Sequence, residues 1–431
     1  MTRFHPTILT LCLCIYTTIL YSCKKTSSPS GSSGTSPSGT LSIQSISQNA
    51  GPDSTQVTIV GTGFNANPTQ DSVFFNGHAA PIELANDSVL DVLVPVRAGT
   101  GDVSVKVNGI TAEGPIFTYQ YTTTELVLAG NGDINGIDGQ GKAASFFFPT
   151  GLALEPNGNL LVTQAADGRI RSITPSGLVS SLNTAFFPSI DLNRGTPGVY
   201  VQNLESIAID YSNNLVWVGD PGDNSVSSFS DAGPISIKTL VDSLHHLDGS
   251  DTNKISTFEF PTGVAARNGT LFIVDYETNN LQILNSKGRQ IYSVLNTGDD
   301  KIRSLLNGPS GIAVDGAGNL YIANAGGNNI LKITSDSVAS VFAGSGLKGS
   351  ADGIGTTASF FNPQGIAVDS AGNVYVSDTG NQHVRLISPS GEVVTLPYQI
   401  SYAAGLAVNP SGSNLYIANA VGCVIFKISI L

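Results

Sequence analysis

PSGIAVDGAGNLYIAN (309–324) and PQGIAVDSAGNVYVSD (363–378) are two copies of one pattern. Each runs from a Gly-ended turn through an apolar strand, a Gly/Asn turn and a second apolar strand. Four further stretches repeat it: PTGLALEPNGNLLVTQ (149–164), LESIAIDYSNNLVWVGD (204–220), PTGVAARNGTLFIVD (261–275) and AGLAVNPSGSNLYIAN (404–419). A polar turn and a third apolar strand follow each copy. Counted from Gly151, Ser206, Gly263, Gly311, Gly365 and Gly405, successive copies start 55, 57, 48, 54 and 40 residues apart. Repetition at this period marks sheet units that cannot bury both faces alone, whereas six arranged radially can. Residues 122–431 therefore read as a six-bladed β-propeller.

The repeats also predict how the ring closes. The third strand of the last copy, residues 423–428, lies too near Leu431 to be followed by a fourth. A matching outer strand stands at the front of the array instead: ELVLA (125–129) parallels VASVFA (338–343) of an internal unit. The expected closure is a clasp, in which the first strand pairs into the last blade and covers an otherwise open edge.

Upstream, alternating runs such as VTIV (57–60), SVFF (72–75) and VSVKV (103–107) are separated by turn clusters. Short strands at this spacing predict a β-sandwich over residues 41–121, so the whole chain is expected to be all-β. Before it, Arg3 precedes an apolar stretch (8–21) too short to span a membrane comfortably. Residues 1–22 then read as a signal peptide ending at LYSC (20–23). KKTSSPSGSSGTSPSGT (24–40) cannot bury a core, so 23–40 reads as a flexible tether.

Three resemblances sharpen this reading. LYSC resembles the lipobox of bacterial lipoproteins, which implies that Cys23 carries lipid and anchors the chain in the cell envelope. ISQNAGPDSTQVTIVGTGF (46–64) with VFFNG (73–77), VLVP (92–95) and GDVSVKVNG (101–109) looks like an IPT/TIG domain. That family is an immunoglobulin-like sandwich used mostly as a spacer or binding module. GNLYIAN (318–324) and GNVYVSDTGNQHV (372–384) resemble NHL repeats, whose propellers imply a protein or glycan ligand.

Composition agrees with export and narrows the partners. Charged residues make up 12% of the chain while Gly contributes 48 residues, as suits a turn-dense β protein. The net charge of −12, with no basic run carrying interleaved aromatics, argues against nucleic acid as a partner. Cys12 and Cys14 fall in the leader and Cys23 would be acylated, leaving Cys423 alone in the apolar run CVIFKI. One remaining thiol builds neither a disulfide nor a zinc site, and Cys423 is expected to be a buried small hydrophobe.

Two loops are near copies: AGNGDINGIDGQGKAASFFFPTG (129–151) and AGSGLKGSADGIGTTASFFNPQG (343–365). Asn131, Asp133 and Asn135 imitate the opening of an EF-hand, but the twelfth position is Lys142, and the second copy lacks the acidic ligands. The loops are expected to be shaped by their glycines, with Phe146/Phe147 and Phe360/Phe361 as packing anchors and no metal. A ring of polar residues ends the second strand of every repeat: Gln164, Asp220, Asp275, Asn324, Asp378 and Asn419. These side chains are expected to accept hydrogen bonds from the turns that follow them. The alternative is a metal-dependent hydrolase or lyase at the central channel, with Asp220, Asp275, Asn324 and Asp378 as its site.

Histidine is scarce. His78 lies in the sandwich and His383 at a repeat position. His245 and His246 stand in SLHHLDGSDTNK (243–254), where neighbours on a strand face opposite ways, with Asp248 and Asp251 nearby. No GxSxG, P-loop, HExxH or CxxC motif occurs. Loop length exceeds scaffold need at 183–203 and 242–258. Phe186, Phe187 and Tyr200 in the first insertion, and His245 and His246 in the second, are the candidate ligand contacts. No catalytic residue and no cofactor are expected. The favoured function is a lipid-anchored binding or scaffold protein of the envelope, placed at the outer membrane on its periplasmic or its outer side.

Overall fold

A computed structural model describes residues 40–165, 167–182, 204–222, 224–230, 238–241, 258–285, 290–293 and 300–431. The fold is all-β: an immunoglobulin-like sandwich followed by a six-bladed propeller.

One sheet of the sandwich has strands Ser42–Ile46, Gln56–Thr62, Val89–Leu93 and Ile82–Ala85 in that order. The other has Ala50–Gly51, Ile110–Tyr119, Gly101–Val107, Asp71–Phe75 and His78–Ala80. Alternation along the strands sends Val57, Ile59, Val73, Phe75, Val103 and Val105 into one core, where the Phe75 and Phe117 rings meet edge to face at 5.1 Å.

Each blade is an antiparallel sheet whose first strand lies innermost. The inner strands are Pro149–Leu154, Ser206–Asp210, Pro261–Arg267, Pro309–Val314, Pro363–Val368 and Ala403–Val408, defining blades 1 to 6. Six separate apolar clusters fill the six gaps between neighbouring blades. One of them, with Leu152 and Val162 against Tyr416 and Ile425, closes the circle from blade 6 to blade 1. The clasp is present: strand Thr123–Ala129 pairs antiparallel with Val424–Ile430 as the outer strand of blade 6. Main-chain bonds between Thr122 and Leu431 extend that pairing by one residue.

The sandwich is seated firmly on the ring. Arg97 reaches from it into blade 5, where Nη2 donates to Asp369 Oδ2 at 3.1 Å and to Tyr375 Oη at 2.7 Å, while Nη1 donates to the Ser411 carbonyl. Tyr121 packs against both the sandwich core and the cluster between blades 5 and 6, and stacks edge to face on Tyr119. Burial, opposed by the Arg97 charge, pushes the Tyr121 phenol up to about 12.

Candidate functional site

The inner strands leave a cavity of about 470 Å³ on the propeller axis. The repeat position Gly151/Ser206/Gly263/Gly311/Gly365/Gly405 lines it. A methyl group on Gly311, Gly365 or Gly405 would stand 2.3 Å, 2.0 Å or 2.1 Å from the carbonyl oxygen of the next inner strand, at Gln364, Ala404 and Thr150 respectively. Glycine is thus demanded at these three positions by the close approach of the neighbouring inner strand, while blade 2 carries Ser206 at the equivalent place. Hydroxyls bridge the strands further: Thr150 Oγ1 donates to the Leu204 carbonyl (2.5 Å), Thr262 Oγ1 to that of Pro309 (3.0 Å) and Ser377 Oγ to that of Ala404 (3.0 Å).

The cavity's mouth, where the inner strands begin, is lined by Glu205, Thr262, Ser310 and Gln364, with Phe260, Tyr276 and Asn362 at its rim. The rim position directly precedes each inner strand. Its carbonyl accepts the N–H of the residue just past the second strand, as in Ala165 to Phe148 (3.0 Å), Tyr276 to Phe260 (2.9 Å), Ala325 to Gly308 (3.0 Å) and Ala420 to Tyr402 (3.3 Å). Phe148 and Tyr402 therefore hold in blades 1 and 6 the backbone place that Phe260 and Gly308 hold in blades 3 and 4; in blade 5, Asn362 likewise precedes the inner strand, but the bond runs from the Gly380 N–H to the Phe361 carbonyl (2.9 Å). Sequence reading missed this rim, because its residue type changes from blade to blade and only the shared backbone bond reveals it.

The polar ring ending the second strands is structural at the positions whose bonds are resolved. Asp378 Oδ1 accepts the Phe361 N–H (2.7 Å), Gln164 Oε1 that of Phe147 (2.9 Å) and Asn324 Oδ1 that of Asn307 (2.7 Å). Asp275 accepts the N–H groups of Glu259, Phe260 and Thr278, and Asn419 that of Gly422. Of these five, Asp275 and Asn419 bond the main chain of the turn that follows. The more frequent partner is the connector entering the blade, because antiparallel pairing sets the end of the second strand beside the start of the first. Asp220 is buried at the same position and engaged. Among the described residues, no three His, Cys, Asp or Glu side chains come together in a group that could hold a metal. Phe186, Phe187, Tyr200, His245, His246 and Cys23 lie outside the described residues.

The twin loops need more than glycine. Arg171 and Arg385, each with a wholly buried side chain on a third strand, reach up into them. Arg385 binds Asp352 (2.7 Å), Asp378 (2.9 Å) and the carbonyls of Ser359 and Ala351. Arg171 binds Asp138 (2.6 Å), Gln164 (3.2 Å) and the Ser145 carbonyl. Phe146 and Phe360 are fully buried anchors under these guanidinium groups, at 5.3 Å and 5.0 Å from ring centre. Each loop also adds a short fifth strand, Gly139–Gln140 or Gly353–Ile354, to the outer edge of its blade. In the first loop, Asn131 and Asp133 bond each other. The signal for the Arg–Asp pairing was available: Arg occupies this third-strand position in the two repeats that carry the loop, while blades 2 and 3 have Ser227 and Gln282 there. Burial pushes the Asp378 carboxyl up, against bonds from Asn381, Phe361 and Arg385. At Asp138, burial is outweighed by hydrogen bonds from Ser181 and Arg171, and its carboxyl is held low. Cys423 is buried, with Sγ against the Ala420 carbonyl at 3.4 Å.

The IPT/TIG domain family matches residues 41–123, and the NHL repeat family matches residues 360–385. No curated protein sequence matches the chain. Among solved structures, a protein of unknown function from Bacteroides thetaiotaomicron is similar over 92% of this chain and 99% of its own, at 20% identity and a TM-score of 0.56. An auxiliary nutrient binding protein from the same organism is similar over 90% of this chain and 97% of its own, at 16% identity and a TM-score of 0.54. Another from Bacteroides ovatus is similar over 91% and 98%, at 18% identity and a TM-score of 0.53. At these identities the likeness is one of fold, and it spans the sandwich and the propeller together.

Proposed function

We propose that this chain is a non-catalytic binding protein of the bacterial cell envelope, anchored through lipid on Cys23 and offering its channel mouth to a protein or glycan ligand. The observation that carries the reading is the open, polar-lined mouth on the axis of a ring whose other polar side chains serve the fold. A hydrolase or lyase at the channel would need carboxylates free to meet a metal, whereas Asp275, Asn324 and Asp378 are held by main-chain N–H groups. Support for a binding role also comes from the two structures of matching architecture that are described as auxiliary nutrient binding proteins. The seated sandwich suits a rigid stem between tether 23–40 and the mouth.

Two measurements test this. The full chain is expected to fractionate with membranes and Cys23→Ala to be released. Array screening of the full chain should find a ligand whose binding is blocked by Gln364→Trp, which fills the mouth. A Cys23→Ala protein that stays with membranes, or ligand binding indifferent to Gln364→Trp, would overturn the anchor or the site respectively.

A further inference from the structure

The backbone at the rim is left-handed in four blades, with φ of 55° at Gly308, 50° at Asn362, 46° at Phe148 and 56° at Tyr402. Gly and Asn tolerate this region, whereas a bulky side chain is strained there by its own Cβ. The fold therefore accounts for Gly308 and Asn362 and leaves Phe148 and Tyr402 unexplained. Core packing does not explain them either, since they are 39% and 58% exposed. Strain kept for the sake of an exposed ring points to use of that ring. Blades 6 and 1 are neighbours across the closing seam, and blade 3 adds Phe260 with Tyr276 edge to face on it at 6.3 Å, 37% exposed. On blade 5 the mouth instead carries the amides of Asn362 and Gln364.

We propose that this face of the ring, where Phe260, Tyr276, Asn362 and Gln364 line the mouth and Phe148 and Tyr402 stand exposed at the equivalent backbone position of blades 1 and 6, binds a neutral carbohydrate. A sugar ring matches both kinds of group: its C–H face stacks on exposed aromatic faces while its hydroxyls exchange bonds with amides and hydroxyls. A peptide anchor would call for an enclosed apolar pocket in place of open rings beside polar groups. The net charge of −12 repels acidic sugars. A cavity of about 470 Å³ admits the end of a glycan, not a folded partner. The inference rests on the binding role proposed above and adds the class of ligand.

The test presents the purified full chain to neutral glucan, mannan and galactan oligosaccharides, uronic-acid oligosaccharides and uncharged peptides. Binding to a neutral sugar is expected. Phe148→Gly and Tyr402→Gly should each weaken it by about tenfold while the melting temperature holds or rises, because Gly suits the backbone. Sugar binding unchanged in both variants, or variants that melt well below the parent, overturns the proposal. Binding of peptides or uronic sugars alone, blocked by Gln364→Trp, overturns the ligand class and leaves the binding role standing. No binding that Gln364→Trp blocks overturns both.

Discussion

Arg97→Ala should uncouple the sandwich from the propeller. The guanidinium is 15% exposed and the Asp369 carboxylate is fully buried. Removing one partner of a buried pair typically costs about 3–5 kcal/mol, because the other charge is left uncompensated. Here Asp369 keeps other donors: the N–H groups of Ala371 and Asn373, the Asn373 amide and the Tyr375 hydroxyl, at 2.9–3.2 Å. The cost should therefore fall to about 2–3 kcal/mol, the scale of hydrogen bonds to charged groups. The ring holds its own control. Asp315 in blade 4 organises the same turn, through Ala317, Asn319 and Tyr321, with no arginine from the sandwich. Asp369→Asn should therefore destabilise more than Asp315→Asn, by about 2 kcal/mol, and that excess should vanish in the Arg97→Ala background. Differential scanning calorimetry should show one transition for the parent and an earlier, separate sandwich transition for Arg97→Ala. Equal losses for the two Asp→Asn variants, or an unchanged single transition in Arg97→Ala, would refute the reasoning.

The near-identical loops should respond unequally to loss of their arginines. Arg385→Met leaves the fully buried Asp378 only the Phe361 N–H and the Asn381 amide and should cost about 2–3 kcal/mol, whereas Arg171→Met leaves neutral Gln164 and a half-exposed Asp138 and should cost about 1–2 kcal/mol. Denaturant titration gives the order, and the reverse order would count against the pairing described. Deleting residues 124–129 should bare the edge of Val424–Ile430 and cause aggregation, seen by light scattering; a monomer melting like the parent would refute the clasp. Asp138 and Asp315 have carboxyls held low, against burial, by the hydrogen bonds they accept. Their charged forms favour the folded state above the ordinary Asp value of 3.8, and that contribution is lost as pH falls through the depressed values. Asp138→Asn should accordingly flatten the decline of melting temperature below about pH 4, and an unaltered slope there would contradict it.

What could be read in advance followed from periodicity. The axial glycines marked the repeat, and ELVLA (125–129) announced the clasp, because period and strand alternation are written locally. The polar strand ends were legible as turn-builders, yet their main partner was misplaced, since the choice between two adjacent loops depends on strand pairing and not on spacing. Arg171, Arg385 and Arg97 were passed over because their meaning is tertiary: each is a cation in an unremarkable run until a carboxylate 7 to 272 residues away comes beside it. Phe148 and Tyr402 were hidden for another reason, since strain at a rim position appears only in the backbone angle.

The clasp has a consequence for how the molecule comes into being. A strand laid down near the start of the folded region waits for a partner that leaves the ribosome some three hundred residues later. Until Val424–Ile430 has emerged no ring exists, and the inter-blade face of blade 1 has nothing to rest against. The ring can therefore close only once nearly the whole chain has been made, whereas the sandwich, with a core of its own, does not wait for it.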